Sequence, residues 1–433
     1  MPASEAAFTI REPMTLLDDL RWRGFVHDAT RELAEHLAGG SRTAYCGFDP
    51  TAPSLQVGNL MPIMLLAQLQ RAGHRPIALM GGGTGLIGDP SGKRSERPLL
   101  SKEQIRANLQ RQRDQMARFL NFDPGPASAL LLDNAKWLVE QKLVDFLRDI
   151  GKHFTVNVML QKESVQARLE GGLSYTEFSY MLLQSYDFLH LFREQRCTLQ
   201  VGGSDQWGNI TAGVDLIRRV EGGEAHALVA PLITTASGAK FGKSEGESIW
   251  LDPEMTSPYK FHQFWLNTDD RDVGSYLRTF TFLNRKDIEQ LEGEVKLNPA
   301  ARVAQHQLAD LVTEMVHGKE AMKDFKEGPD YLFGDADIKK APLDHLLRLS
   351  QALPTQVSGS QTVSLVEAMV LTGLAESKGE ARRAIAGGGL YVNREQAKDA
   401  AGSLKPSDWL FQRYVILRKG KKDYAVLEYK AQA

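Results

Sequence analysis

The chain has 433 residues and a mass of 48.1 kDa, more than one hydrophobic core usually serves, so two or three domains are expected. Its 52 Lys and Arg nearly balance 54 Asp and Glu, for a formal charge of -2, which excludes a polycation built to coat nucleic acid and leaves room only for a local basic surface. Hydrophobic residues at 42%, charged residues at 24% and a mean hydropathy of -0.31 exclude a wholly disordered chain.

Residues 1–40 read as a lead-in, with helix-like segments at 16–25 and 29–37 closed by Gly39-Gly40. No apolar run approaches the ~18 residues that span a bilayer, and Glu5, Arg11 and Glu12 stand where a secretory signal needs apolar residues. A cytoplasmic location with no membrane partner is expected. From Thr43 the pattern becomes strand at 43–48, a turn from Asp49 to Pro53, then Leu60, Ile63, Met64 and Ala67 at helical spacing. A second strand at 76–80 runs into a glycine-rich turn and a polar helix carrying Ile105, Leu109, Gln112 and Met116. Strand and helix alternation continues through 129–132, 137–150, 198–201 and 227–233, the grammar of an α/β fold on a parallel sheet. After residue 250 strand signals fade, and 259–323 reads as helices rich in Leu, Glu, Ala and Gln. Residues 326–361 mix Gly, Pro, Asp and Ser around one short helix at 343–353, a linker composition. The expected division is 1–250 for the lead-in and α/β domain, 251–325 for a helical middle domain, 326–355 for a linker region and 356–433 for a C-terminal domain. That last stretch carries 12 Lys and Arg against 8 Asp and Glu, so it is the basic one. Cys46 and Cys197 are too few and too far apart for a disulfide framework or a cysteine zinc site, and are expected to be buried thiols; no metal site is expected.

Gly83-Thr84-Gly85-Leu86-Ile87-Gly88 spells the G-x-G-x-x-G dinucleotide fingerprint after a strand, which makes a nicotinamide-dependent oxidoreductase one reading. The continuation Asp89-Pro90-Ser91-Gly92 counts against it, because it resists helix and sets a carboxylate where a pyrophosphate should sit. Gly88 to Lys93 imitates a P-loop, yet three residues separate its glycines where four are needed, and Arg94 stands where Ser or Thr would bind magnesium. A turn that simply packs tightly is the plain alternative.

Three further segments come in order: Tyr45-Cys46-Gly47-Phe48-Asp49-Pro50-Thr51 with Gln56-Val57-Gly58-Asn59, then Gln200-Val201-Gly202-Gly203-Ser204-Asp205-Gln206-Trp207-Gly208-Asn209, then Lys240-Phe241-Gly242-Lys243-Ser244. In this order and spacing, and from about residue 16 to the C-terminus, the chain resembles the bacterial tyrosyl-tRNA synthetases, a family of class I aminoacyl-tRNA synthetases. The first segment is similar to the His-x-Gly-His signature of that family and the third to Lys-Met-Ser-Lys-Ser. The resemblance implies a Rossmann-like parallel-sheet catalytic domain, a helical domain and a small C-terminal α+β RNA-binding domain like one found in a ribosomal protein and in pseudouridine synthases. It implies an ATP-dependent ligase that activates L-tyrosine as tyrosyl-adenylate and transfers it to the 3′ end of tRNA(Tyr), with magnesium accompanying ATP, no organic cofactor, and a homodimer as the working form.

The residues make chemical sense unaided. An amino-acid carboxylate is ionised at pH 7 and needs no general base to attack the α-phosphate of ATP; the site must align the reactants and neutralise the departing pyrophosphate. Lys240 and Lys243 suit this, with Ser244 beside them by resemblance, in a loop bracketed by Gly238, Gly242 and Gly246, although charge pattern alone reads as a solvated turn. The turn after 43–48 delivers Thr51 and Gln56 toward phosphates, and Gly47 and Gly58 let a nucleotide approach the backbone. Gln56 and Asn59 replace the two histidines of the signature; as neutral donors they are expected to weaken transition-state binding without abolishing activity. By resemblance Lys93 and Arg97 lie near the pyrophosphate, and Asp49, Gly203 and Asp205 with Lys243 contact ATP.

For tyrosine the resemblance puts Tyr45 and Asp187 as a polar pair at a pocket floor. A buried pair left unpartnered by phenylalanine penalises the wrong substrate as shape alone cannot, an argument for which this family is the established illustration. Tyr180, Gln184 and Asp187, spaced i, i+4 and i+7, share one helix face. By resemblance Asp89, Tyr180 and Gln184 hold the substrate ammonium with Gln206 alongside, whereas Tyr180 and Tyr186 taken by themselves read as helix core. Arg218 and Arg219 match positions that meet the tRNA acceptor end, and Lys378, Arg382 and Arg383 would face RNA phosphates, where charge pattern alone gives a solvated helix face. The rival reading is a catalytically lapsed RNA-binding protein whose altered first signature marks lost activation.

Overall fold

Apolar residues run almost unbroken through 43–48, 75–80 and 226–230, as strands buried on both faces require. The structure, a computed structural model, describes residues 14–91, 100–162, 165–166, 169, 171–238, 241–244, 247–326, 331, 337–420 and 423–430. Six strands, β1 (Asp28–Ala29), β2 (Thr43–Phe48), β3 (Arg75–Met80), β4 (Leu130–Asp133), β5 (Cys197–Gly203) and β6 (His226–Ala230), form one sheet in the order β1-β6-β5-β2-β3-β4. From β2 to β6 all pairings are parallel, and β1 joins the edge antiparallel through Asp28 with Val229 and Ala29 with Leu228. Residues 29–37 were expected to be helical from the start; the helix begins only at Leu33, because Ala29 is held in the ladder and Glu32 turns left-handed at φ 63°.

The connection from β2 to β3 and that from β5 to β6 cross the sheet in opposite directions, so right-handed crossovers place their helices on opposite faces. On one side Leu60–Arg71 is buried along most of its length. On the other, Tyr175–Gln195 and Trp207–Glu221 share a core with Tyr45, Ile77 and Leu79, built from Phe188, Leu189, Leu191, Leu216 and Ile217. Residues 137–150 form two short helices, Ala135–Leu138 and Leu143–Asp149, and Trp137 and Phe146 carry them into the same core.

The contacts divide the chain otherwise than composition does. One unit is 1–252 with 265–316, and the other is 253–264 with 317–433. The stretch 251–325 is helical as expected, but Trp265–Val316 belongs with the sheet, because Trp265, Tyr276 and Phe280 pack around Phe241 in one aromatic cluster, centroids 5.1–5.8 Å from its ring. In the second unit β9 (Thr355–Ser358), β10 (Leu390–Val392), β11 (Glu395–Ala397), β12 (Tyr414–Lys419) and β13 (Asp423–Tyr429) run in the order β11-β10-β12-β13-β9, with only β13 and β9 parallel. Alternation along β12 sends Val415 and Leu417 into a core with Leu365–Leu371 and Lys378–Ala386, and Tyr414 and Ile416 into another with Leu346, Leu349 and Leu353. The helix Leu343–Ala352, inside the expected linker, is therefore a packed layer of this unit.

At the amino ends of the first sheet's strands, His36 and His226 stack with centroids 4.1 Å apart, His36 Nε2 meets Thr198 Oγ1 at 2.9 Å, and His74 Nδ1 accepts the Arg42 amide at 3.1 Å. Burial holds all three imidazoles below their ordinary pKa, His36 at about 4, so each folds neutral. A depressed histidine contributes stability above its unfolded pKa and loses it as pH falls through the folded value. The melting temperature should hold above about pH 6.5 and fall toward pH 4, and His36→Asn should shallow that fall in a calorimetric pH series.

Candidate active site

The order of the sheet reverses between β2 and β5, and the carboxyl ends of strands at such a switch point leave a crevice. A cavity of about 370 Å³ lies there. It gathers thirteen of the residues singled out from sequence: Tyr45, Gly47, Asp49, Thr51, Gln56 and Asn59 from β2 and its turn, Asp89 from the glycine turn, Tyr180, Gln184 and Asp187 from the helix Tyr175–Gln195, and Gly203, Asp205 and Gln206 from the end of β5. Among the described residues no Lys or Arg lines it.

At the floor Asp187 is 2% exposed; Trp137 Nε1 donates to its Oδ1 at 2.7 Å and Asn134 Nδ2 to its Oδ2 at 2.9 Å. Burial drives its pKa up to about 7 against the pull of these donors, with Asp49 and Asp133 adding to the rise. Tyr45, fully buried in β2, has a hydroxyl that makes no hydrogen bond among the described residues, and burial keeps its phenol protonated far into the alkaline range. A buried acceptor poised near neutrality, with an unpartnered hydroxyl on the same floor, is the equipment for holding a buried phenolic hydroxyl.

Along one wall the Tyr180 hydroxyl donates to Asp49 Oδ2 at 3.0 Å, and Thr84 Oγ1 donates to Asp49 Oδ1 at 2.8 Å. On the other, an amide chain ends on a carboxylate: Asn209 Nδ2 donates to Gln184 Oε1 at 3.1 Å, Gln184 Nε2 to Gln206 Oε1 at 3.2 Å, and Gln206 Nε2 to Asp89 Oδ2 at 2.7 Å. These acidic and amide acceptors suit a cation such as an ammonium. Gly47 and Gly58 are exposed, and a Cβ on either would meet nothing within 4 Å, so nucleotide can approach the backbone at both; Gly58 itself lies outside the cavity lining.

The glycine turn does other work than its fingerprint suggests. Gly83 and Thr84 give their amides to Asn134 Oδ1 at 2.7 and 3.4 Å, and residues 84–86 close a single 3-10 turn. Those amides are consumed inside the protein, which removes the dinucleotide reading and leaves the packing turn. In the first signature the Gln56 amide donates to Asn59 Oδ1 at 2.9 Å, so the Asn59 oxygen caps its own turn. Cys46 and Cys197 are buried thiols pushed up to about 12 by burial. Lys93, Arg97 and Lys240 lie outside the described residues; Lys243 and Ser244 form a two-residue strand, β7, paired with β8 (Glu247–Ser248), with only their backbone described.

Residues 38–333 match the family model for tRNA synthetases class I (W and Y). The chain belongs to that class I synthetase family. Residues 346–427 of this synthetase match the tyrosine--tRNA ligase SYY-like C-terminal domain. It is 51% identical over 420 residues to the tyrosine--tRNA ligase of Roseiflexus castenholzii, covering 95% of this chain and 99% of that one, and 49% identical to that of Bacillus caldotenax, covering 96% and 100%. Among solved structures it is similar to a C-terminally truncated mitochondrial tyrosyl-tRNA synthetase from Aspergillus nidulans, at a TM-score of 0.66 and 31% identity over 71% of this chain and 91% of that one.

The synthetase has site residues that sequence reasoning passed over. Asn134 and Trp137 follow β4 at its carboxyl end, and that position on a parallel sheet was the available signal. Asn209 closed the second motif without being given a role. Of the two helix-end arginines, Arg218 is exposed and paired with Asp215 at 3.1 Å, whereas Arg219 donates to the His153 carbonyl and is partly tied to the fold. Lys378, Arg382 and Arg383 are exposed on Lys378–Ala386 in the second unit.

Gly81 bears the closest approach in the site, since a Cβ on it would collide with Asp49 Oδ1 and stand 2.6 Å from Thr84 Oγ1. Gly81→Ala should displace Asp49 from Thr84 and Tyr180 and cost about 1–3 kcal/mol of unfolding free energy in denaturant titration.

Proposed function

We infer that the synthetase is a tyrosine--tRNA ligase, and the observation that carries this reading is the Asp187 carboxylate beside the free Tyr45 hydroxyl at the cavity floor. The tyrosine phenol donates to Asp187 and accepts from Tyr45, while its ammonium lies among Asp89, Tyr180, Gln184 and Gln206. A carboxylate oxygen of tyrosine bonds the α-phosphorus of ATP as the bond from that phosphorus to the β-phosphate bridging oxygen breaks, releasing pyrophosphate. A terminal ribose hydroxyl of tRNA(Tyr) then attacks the acyl carbon and AMP leaves. Asp205, Gly203, Asp49 and Gly47 hold the nucleoside side, Thr51 and Gln56 donate to phosphate oxygens, and Lys93, Arg97, Lys240, Lys243 and Ser244 neutralise the pyrophosphate. The acidic lining supports this split, because a polyanion must draw its cations from outside it.

Magnesium enters with ATP as part of that substrate. Among the described residues no group of three His, Cys, Asp or Glu could hold a metal ion. Contact with tRNA falls to Arg218 and Arg219 at the acceptor end and to Lys378, Arg382 and Arg383 on the basic C-terminal domain. A homodimer is supported by Leu143, Val144 and Leu147, 72%, 74% and 42% exposed on one helix face, with Val156 and Val158 exposed nearby in sequence. No helix of the described residues is long and apolar enough to cross a membrane.

Tyrosine-dependent exchange of labelled pyrophosphate into ATP tests the reading, with phenylalanine as control. Exchange with tyrosine alone is expected; none at all would favour the lapsed RNA-binding protein, and equal exchange with phenylalanine would remove the floor assignment. Alanine at Lys240 or Lys243 should lower exchange about a hundredfold. Because protonation removes the strongest acceptor for the phenol, tyrosine affinity should rise with pH through about 7 and plateau above it. Asp187→Asn should flatten that profile and lower kcat/KM for tyrosine about tenfold to a hundredfold, the worth of one hydrogen bond to a charged group. Val144→Glu should shift the sedimenting species from dimer to monomer.

A further inference from the structure

The segment carrying Lys243 is joined to the first signature through backbone hydrogen bonds. The Val57 amide donates to the Ile249 carbonyl at 3.1 Å, the Leu251 amide to the Leu55 carbonyl at 2.9 Å, and Gln56 bridges Trp250. Ile249 also donates its amide to the Gly242 carbonyl at 3.0 Å, and the pairing continues through Lys243 with Ser248 and Ser244 with Glu247. Segment 247–251 thus holds both the turn bearing Gln56, through residues 249–251, and the strand Lys243–Ser244, through residues 247–249.

Gly242 closes this arrangement from a second direction. It is buried at φ +85°, and a Cβ on it would lie 2.9 Å from Val57 Cγ2 and 3.5 Å from the Gly58 amide nitrogen. Val57 is fully buried and β-branched, so its methyl has little room to yield. The preceding residue, Phe241, is pinned among Trp265, Tyr276 and Phe280. With Phe241 fixed, the chain can reach the first signature only if the next residue has no side chain. Gly238 is an internal contrast: it too has a positive φ, +79°, but among the described residues a Cβ there would meet nothing within 4 Å.

We propose that Gly242 is a positioning residue for adenylate formation: its bare backbone rests on Val57 and Gly58 and so sets the register of Lys243 against the turn that presents Gln56. This rests on the ligase reading for what Lys243 does, but the contact can be tested apart from activity. Hydrogen–deuterium exchange on the full chain should show segment 247–251, including the Ile249 amide, losing protection in Gly242→Ala and keeping it in Gly238→Ala. In pyrophosphate exchange Gly242→Ala should lower kcat about tenfold or more with KM for tyrosine unchanged, while Gly238→Ala, bearing backbone strain alone, loses less. Adding Val57→Ala to Gly242→Ala should recover protection and part of kcat, since it removes the obstructing methyl. Equal effects of the two glycine substitutions on protection, or no recovery with Val57→Ala, would overturn the proposal. An inactive wild-type chain would instead count against the ligase reading and leave the protection result to decide this one.

Discussion

Two parallel strands whose connections depart in opposite directions create everything the site has to work with. β2 and β5 pair from Thr43 to Tyr45, and past that pairing each turns away, β2 into the turn with Thr51 and Gln56, β5 into Gly203 and Asp205. The gap between the turns has Tyr45 as part of its base, and the helix Tyr175–Gln195 crosses the same face to bring Asp187 to it. Disrupting the β2–β5 pairing would scatter Tyr45, Asp187 and the turns that carry Gln56 and Asp205 together, because each is anchored to one of those two strands or packed upon them.

Electrostatics then divide the labour. A carboxylate buried as deeply as Asp187 is poorly solvated, and the Trp137 and Asn134 donors restore only part of what water would supply, which keeps it poised near neutrality. Asp49 and Asp89 are likewise committed to specific donors, the first to Tyr180 and Thr84, the second to Gln206 and the Ser91 amide. Such a lining favours the ammonium and phenol of an amino acid and opposes a triphosphate.

Much of this was legible in residue order. The strands at 43–48 and 76–80 were found within a residue of their bounds because apolar runs ending in Gly and Pro turns have few alternatives. Tyr180, Gln184 and Asp187 fell on one helix face by periodicity alone, and the cavity collects them. Failures came where local composition competes with distant contact. Residues 326–355 look like a linker until Leu346, Leu349 and Leu353 meet Tyr414 and Ile416. Trp265, Tyr276 and Phe280 look like part of a separate helical body until Phe241 joins them. Asn134 has no motif at all; its importance comes from standing between Thr84, Gly83 and Asp187.

The amino-acid order by itself determined the α/β alternation, the three motifs and the chemistry their residue types permit, since periodicity, turn residues and side-chain pKa are properties of short stretches. Only the tertiary structure decided that the glycine turn spends its amides on Asn134, that the Asn59 oxygen caps its own turn, and that Asp187 lies where burial lifts its pKa. Those facts depend on which distant atoms fill the space around a group, and desolvation and hydrogen-bond pairing are set by that neighbourhood whatever the sequence on either side.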